Sequence, residues 1–137
     1  MNRRRMLRTA SVILVVLGTG HLVLASVLTV ETLASWASKG VWAAVPLLGS
    51  RATAEAALNA LAFWGGLGSF SVPLATLGGL IWHMASRGIT IPAFVGWIIA
   101  AWCLAGALIL VPSPFILGTA AGCLVVLAAR RTRVASA

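Results

Sequence analysis

Four long apolar stretches occupy most of this 137-residue chain and constrain its fold more than any other feature. A helix of about 17–20 apolar residues, rising about 1.5 Å per residue, crosses the ~30 Å hydrocarbon core of a bilayer. The stretches run roughly over Leu7–Val30, Ala56–Met84, Ile91–Val111 and Pro114–Ala129. The sequence therefore predicts an all-α integral membrane four-helix bundle. It would be a single transmembrane domain, with an outer loop at residues 40–52.

The composition excludes most soluble classes of protein. The chain is 61% hydrophobic and only 9% charged, which is outside the range of soluble globular domains. Its net charge of +8 raises the question of nucleic-acid binding. The basic residues, however, stand at the ends of apolar stretches, where anionic lipid headgroups are the better partner. We therefore expect the lipid bilayer, and no nucleic acid, as a partner.

The distribution of Lys and Arg predicts the orientation in the membrane. Eight of the ten basic residues lie at the N-terminal end of the first stretch, between the second and third stretches, or after the fourth. Only Lys39 and Arg51 lie between the first two stretches. Cytoplasmic segments carry the excess of basic residues, so both termini are predicted in the cytoplasm. An even number of spans also requires both termini to lie on the same side of the membrane. We expect a multi-pass membrane protein.

A secretory signal peptide is the competing interpretation of the N-terminal region. Basic residues precede the apolar run Ser11–Leu17, and small residues surround a candidate cleavage point after Ala25. Gly18-Thr19-Gly20-His21 interrupts the apolar run, which is unfavourable for such a segment. We therefore expect the first stretch to be a membrane span.

One face of the second stretch carries small and polar residues at helical spacing. They are Asn59, Ala62, Gly66, Ser69, Pro73, Thr76 and His83. Such a face should turn towards other helices, because an unpaired polar group is costly against lipid. Pro73 predicts a kink in that helix. Two interpretations stay open: close helix packing, as at Gly118 and Gly122 on the fourth stretch, or a cavity between helices.

The scarce titratable residues are the candidates for chemistry. His21 lies near the middle of the first span, and an intramembrane ionisable residue is a candidate functional site. Glu31 and Glu55, the chain's only carboxylates, are both predicted at the outer rim. A carboxyl group beside apolar walls can hold a proton and act as an acid. The alternatives are a hydrogen-bonded core histidine, a solvated Glu31, and a Glu55 that only complements a helix dipole.

Neither a metal nor another cofactor is expected. His83 is predicted far in depth from His21, and no acid accompanies either histidine. Cys103 and Cys123 fall within spans and lack the spacing of a redox pair, so they are predicted to be packing residues.

Several short motifs are spread along the chain: Gly18-Thr19-Gly20-His21, Ala62-Phe63-Trp64, Arg87-Gly88, Ile91-Pro92 and Gly96-Trp97. Together they resemble a family of small bacterial membrane proteins known as domain of unknown function 6463. The resemblance extends over nearly the whole chain and implies a location in the bacterial inner membrane. It implies a four-span helical protein with His21 and Trp64 as residues of interest, and it implies no activity or cofactor.

The sequence suggests an inter-helix pocket that binds a hydrophobic small molecule. We hypothesise that the protein is a cyclase or isomerase, which acts by proton transfer on an isoprenoid- or polyketide-like substrate. Glu31, His21 and Glu55 are the predicted catalytic residues. The predicted substrate-binding residues are Asn59, Trp64, Ser69, Trp36 and Phe63. The alternatives are a small multidrug-type transporter and a non-catalytic accessory subunit. The sequence leaves a homo-oligomer open.

Overall fold

The computed structural model describes residues 2–40, 45, 53–110 and 113–134, and these residues form six helices and no strand. The helices are α1 (Arg3–Leu28), α2 (Val30–Lys39), α3 (Ala54–Gly65), α4 (Ser71–Ser86), α5 (Ala93–Ile109) and α6 (Phe115–Val134). The all-α prediction is confirmed. The number of helices exceeds the number of apolar stretches because α2 follows the first stretch and the second stretch contains both α3 and α4. Most of the predicted outer loop lies outside the described residues.

Thr29, near the end of the first apolar stretch, separates α1 from α2. This residue has φ −118° and ψ 19°, and its hydroxyl donates a hydrogen bond to the Ala25 carbonyl at 2.8 Å. A threonine hydroxyl bonded to the carbonyl four residues earlier bends a helix. The helix α2 then ends at Lys39, and Gly40 follows with φ 93°. This end agrees with the predicted start of the outer loop at residue 40, and glycine accepts that left-handed conformation at no steric cost.

The prediction of one continuous helix over the second apolar stretch is wrong. The helix α3 ends at Gly65, and α4 begins only at Ser71. Three glycines at positions 65, 66 and 68 weaken the helix here, each by about 1 kcal/mol relative to alanine. Pro73 is the third residue of α4, within the first turn, where its missing N–H is tolerated. The interruption therefore lies before Pro73, and the proline does not kink a continuous helix as predicted.

Contacts divide the chain into two compact units. One is the two-segment unit, which combines Met1–Leu17 with Pro73–Ala137; the other is the Gly18–Val72 unit. The hydrophobic core cluster lies in the two-segment unit. Its buried members are Met6, Leu7, Ala10, Leu14, Leu74, Ile81, Ala85, Ile91, Ile99, Cys103, Ala121, Val125 and Ala128.

Glycines allow α5 and α6 to pack closely within the two-segment unit. A Cβ atom at Gly122 would lie 2.5 Å from the Ala100 nitrogen, and one at Gly96 would lie 2.7 Å from the Gly122 carbonyl oxygen. A Cβ at Gly118 would lie 2.5 Å from the sulfur of Cys103. The predicted close packing at Gly118 and Gly122 is therefore confirmed.

The polar face predicted for the second stretch is not a single packed surface. Ala62 and Gly66 are buried, but Pro73, Thr76 and His83 are exposed. Since the interruption after Gly65 breaks the helical register, α4 buries a different set of residues: Ser71, Leu74, Gly78, Ile81 and Ala85. These recur every three to four residues, as expected for a helix with one buried side.

Among the described residues, α1 alone is both long enough and apolar enough to be a candidate membrane span, with 26 residues. The apolar helix α5 is shorter, at 17 residues.

Candidate site in the Gly18–Val72 unit

All eight residues predicted for the site fall within the Gly18–Val72 unit. His21 lies on α1, Glu31 and Trp36 on α2, Glu55, Asn59, Phe63 and Trp64 on α3, and Ser69 in the turn that follows. They come from three helices and one turn, so packing within this unit decides which of them meet.

His21 contacts the end of α3. Its Nε2 atom lies 2.8 Å from the carbonyl oxygen of Gly65, the last residue of that helix. The last carbonyls of a helix have no intrahelical donor, so His21 satisfies one of them. Because a carbonyl oxygen only accepts, Nε2 carries the hydrogen of this bond. In the neutral imidazole, Nδ1 then holds the lone pair and can accept a proton.

The turn after α3 is held together by its own backbone and by Ser69. The Gly68 N–H donates to the Phe63 carbonyl at 2.8 Å, and the Ser69 N–H donates to the Gly66 carbonyl at 3.0 Å. The Ser69 hydroxyl also donates to the Gly66 carbonyl and lies 2.9 Å from the Ser71 hydroxyl oxygen. Ser69 therefore stabilises the interruption between α3 and α4.

Phe63 packs over this turn. A Cβ atom at Gly68 would lie 2.5 Å from the Phe63 ring, so only glycine fits beneath that ring in its present position. The Phe63 and Trp64 rings meet edge to face, with centroids 5.0 Å apart. This geometry is favourable for an aromatic pair, and Trp64 remains 53% exposed.

A second polar contact joins α2 to α3. The Trp36 indole N–H donates to the Asn59 side-chain oxygen at 2.8 Å, and both side chains are partly buried. With its oxygen already accepting this bond, Asn59 has its NH₂ group to offer a ligand. Asn59 is therefore better suited to donate to a substrate than to accept a proton from it.

The two carboxylates lie in first turns. Glu31 is in the first turn of α2, and Glu55 is in the first turn of α3, as predicted for Glu55. The helix dipole favours an acid at each position. Thr53 is the N-cap of α3 and accepts a hydrogen bond from the Ala56 N–H at 3.2 Å.

His21, Glu31 and Glu55 are all exposed on the surface of the chain. The hypothesis of an enclosed pocket required these groups to face inward. The structure instead places them where the surroundings of the protein can reach them. Within the described ranges, no three His, Cys, Asp or Glu side chains gather as candidate metal ligands.

Sequence reasoning missed the importance of Gly65, Gly66 and Gly68 for this site. Gly65 supplies the carbonyl that contacts His21, and Gly66 is buried with its Cα facing Ala62. The signal was visible as three glycines within four residues of an otherwise apolar stretch. Such a cluster is typical of a helix end.

A sequence model for a Family of unknown function (DUF6463) matches residues 5–132. The chain belongs to this family. The match confirms the resemblance carried by the short motifs around His21 and Trp64. No curated protein and no solved structure matches the chain.

Proposed function

We propose that this member of DUF6463 is an integral membrane protein that crosses the bacterial inner membrane four times, with both termini in the cytoplasm. The length and hydropathy of α1 support this proposal, as do large apolar side chains left exposed on several helices. Examples are Leu28 at 74%, Leu108 at 74% and Ile109 at 80% exposure. In water such surfaces are unfavourable, whereas lipid tails cover them at no cost.

The Gly18–Val72 unit binds a hydrophobic small molecule beside His21. The observation that supports this site is the contact between His21 and the carbonyl at the interrupted end of α3. Irregular backbone within a membrane-embedded stretch is tolerated where it is buried in protein or lines a cavity, and broken helices in membrane proteins mark binding sites. Since His21 and Trp64 are exposed, an apolar ligand dissolved in the bilayer reaches them laterally.

The chemistry proposed at this site is proton transfer. A carboxylic acid, Glu31 or Glu55, adds its proton to an alkene carbon of an isoprenoid- or polyketide-like substrate and generates a carbocation. His21 removes a proton from a neighbouring carbon through Nδ1, and the double bond shifts or a ring closes. The product is an isomer of the substrate, and water carries the proton from His21 back to the carboxylate, so no reactant other than the substrate is consumed. The Trp36 and Trp64 rings shield the cation by cation–π attraction.

Deuterium incorporation tests this function with a mixture of candidate substrates. The purified protein is incubated in D₂O with a total lipid extract, and the lipophilic molecules are analysed by mass spectrometry. Because the added proton comes from an exchangeable acid, we expect a carbon-bound deuterium in one class of molecule. If none of the lipophilic molecules gains deuterium in a protein-dependent way, the catalytic proposal is excluded.

The variants His21→Gln and His21→Ala separate binding from chemistry. The glutamine amide can donate to the Gly65 carbonyl as the imidazole does, but it cannot act as a base. We expect His21→Gln to retain the ligand and to lower deuterium incorporation by about 100-fold or more, within the usual contribution of a general base. Full incorporation by both variants would remove His21 from the mechanism.

The interruption between α3 and α4 favours transport as the second candidate function. Transporters place substrate sites at discontinuous helices. Two features of the sequence count against transport of cations. The chain has no acid at the predicted depth of His21, and its sequence pI near 11.9 is unfavourable for attracting cationic substrates. Proton-coupled efflux of a lipophilic dye from vesicles containing the protein, with no deuterium incorporation, would favour transport over catalysis.

A further inference from the structure

An apolar groove lies between α1 and α4 within the two-segment unit and shares no residue with the proposed site. It is lined by Ser11, Val12, Val15, Val16, Gly79 and Trp82 and has a volume of about 280 Å³. The Ser11 hydroxyl donates to the Gly78 carbonyl at 2.6 Å, so it is already paired. Gly79 has open space around its Cα. The groove therefore offers an almost purely apolar surface.

A positively charged side chain, Arg8, lies at one end of this groove. The Arg8 guanidinium lies 5.2 Å from the centroid of the Trp82 ring, and Trp82 itself lines the groove. A guanidinium in such a cation–π contact still carries N–H donors, which can bind the oxygens of a phosphate. From Arg8 to Val16 the helix rises by roughly 12 Å. This is the length of helix surface along which an acyl chain can lie.

Other basic residues raise the positive potential at the same end of the unit. Arg3 donates to the Ile89 carbonyl at 3.0 Å, which holds it at the turn after α4. Arg130 lies 5.9 Å from the centroid of the Trp97 ring. Arginine paired with tryptophan is typical of the headgroup region of a membrane.

We propose that this groove binds one anionic glycerophospholipid, with an acyl chain along Val12, Val16 and Gly79 and the phosphate on Arg8. The charge of Arg8 complements the headgroup, and the groove continues as apolar surface where the acyl chain begins. A free phosphate would make no contact with the apolar residues of the groove, and an uncharged lipid would provide no anion to pair with the guanidinium. The inference depends on the membrane location proposed above and is independent of the chemistry at His21.

Native mass spectrometry of the purified, delipidated protein tests the proposal. The protein is incubated in mixed micelles with equal parts phosphatidylglycerol and phosphatidylcholine of identical acyl chains. We expect preferential binding of phosphatidylglycerol by the unchanged chain. Arg8→Gln should weaken that binding about fivefold, the effect expected for one basic residue at an anionic surface.

Arg130→Gln is the matched control, since it removes the same charge and a similar arginine–tryptophan pair but no residue of the groove. Gly79→Leu fills the groove and should reduce binding of both lipids, whereas Ala101→Leu adds comparable bulk at an exposed position on α5. Equal effects of Arg8→Gln and Arg130→Gln, or equal binding of the two lipids, would overturn the proposal. Extraction of the protein from membranes by alkaline wash would instead contradict its membrane location.

Discussion

At the scale of single residues, glycines that look alike in the sequence have opposite structural roles. A methyl group at Gly122 would lie 2.5 Å from the Ala100 nitrogen, whereas one at Gly79 would meet nothing within 4 Å. Both positions are inside helices, where alanine is intrinsically favoured over glycine by about 0.5–1 kcal/mol. The difference between them is therefore set by packing between helices.

We expect Gly122→Ala to lower the free energy of unfolding by ~1–3 kcal/mol, because α5 and α6 must separate to admit the methyl group. Gly79→Ala should leave it unchanged or raise it by up to ~1 kcal/mol. Denaturant unfolding in detergent, followed by circular dichroism, measures both. Equal destabilisation by the two substitutions would contradict the close approach of α5 and α6.

At the scale of helices, the interruption after Gly65 is the feature that organises the Gly18–Val72 unit. A Cβ atom at Gly66 would lie 2.8 Å from the Ala62 carbonyl oxygen, and a backbone atom cannot swing aside as a side chain can. At the neighbouring Gly65 a Cβ would meet nothing within 4 Å. We expect Gly66→Ala to lower the free energy of unfolding by ~1–3 kcal/mol and Gly65→Ala to have little effect.

Limited proteolysis provides a second measurement for this pair. Distortion of the turn should make Gly66→Ala more sensitive to cleavage near residues 66–70, while Gly65→Ala should match the unchanged chain. If the two variants prove equally stable and equally resistant, the turn does not require glycine at position 66.

The sequence predicted helix type and approximate ends well, but it did not predict helix continuity. Apolar composition persists through residues 56–84, so it signals one stretch although two helices are present. Hydropathy measures how a segment partitions into lipid, whereas the glycine cluster reports its local backbone preferences. The stop at Lys39-Gly40 was predictable because it depends on local backbone chemistry alone.

The site was predictable as a set of residues but not as a set of contacts. Scarcity of polar groups in an apolar chain identified His21 and Asn59 as candidates. Their partners, the Gly65 carbonyl and the Trp36 indole, are 44 and 23 residues away along the chain. Such pairings depend on how helices pack, which composition and spacing do not specify. The position of Glu31 and Glu55 at the outer rim of the membrane stays a prediction.

At the scale of the whole molecule, the placement of basic residues predicts the topology. Ser38 is near the C-terminal end of α2, in a segment with few basic residues, and Ser86 ends α4 beside Arg87. The excess of Lys and Arg assigns the first segment to the outer side and the second to the cytoplasm. The two serines form a matched pair, since both are exposed and each hydroxyl donates to the carbonyl three residues earlier, at 3.0 and 2.8 Å.

Labelling of an introduced cysteine measures that topology. With a membrane-impermeant maleimide added to intact spheroplasts, we expect Ser38→Cys to react and Ser86→Cys to react only after lysis. The unchanged chain is the control, because Cys103 is buried and Cys123 lies in the middle of α6, where the proposed bilayer excludes a polar reagent. Labelling of Ser86→Cys before lysis, with Ser38→Cys protected, would invert the orientation. Equal labelling of both in intact spheroplasts would contradict the proposed number of spans, since an odd number of crossings must separate the two positions.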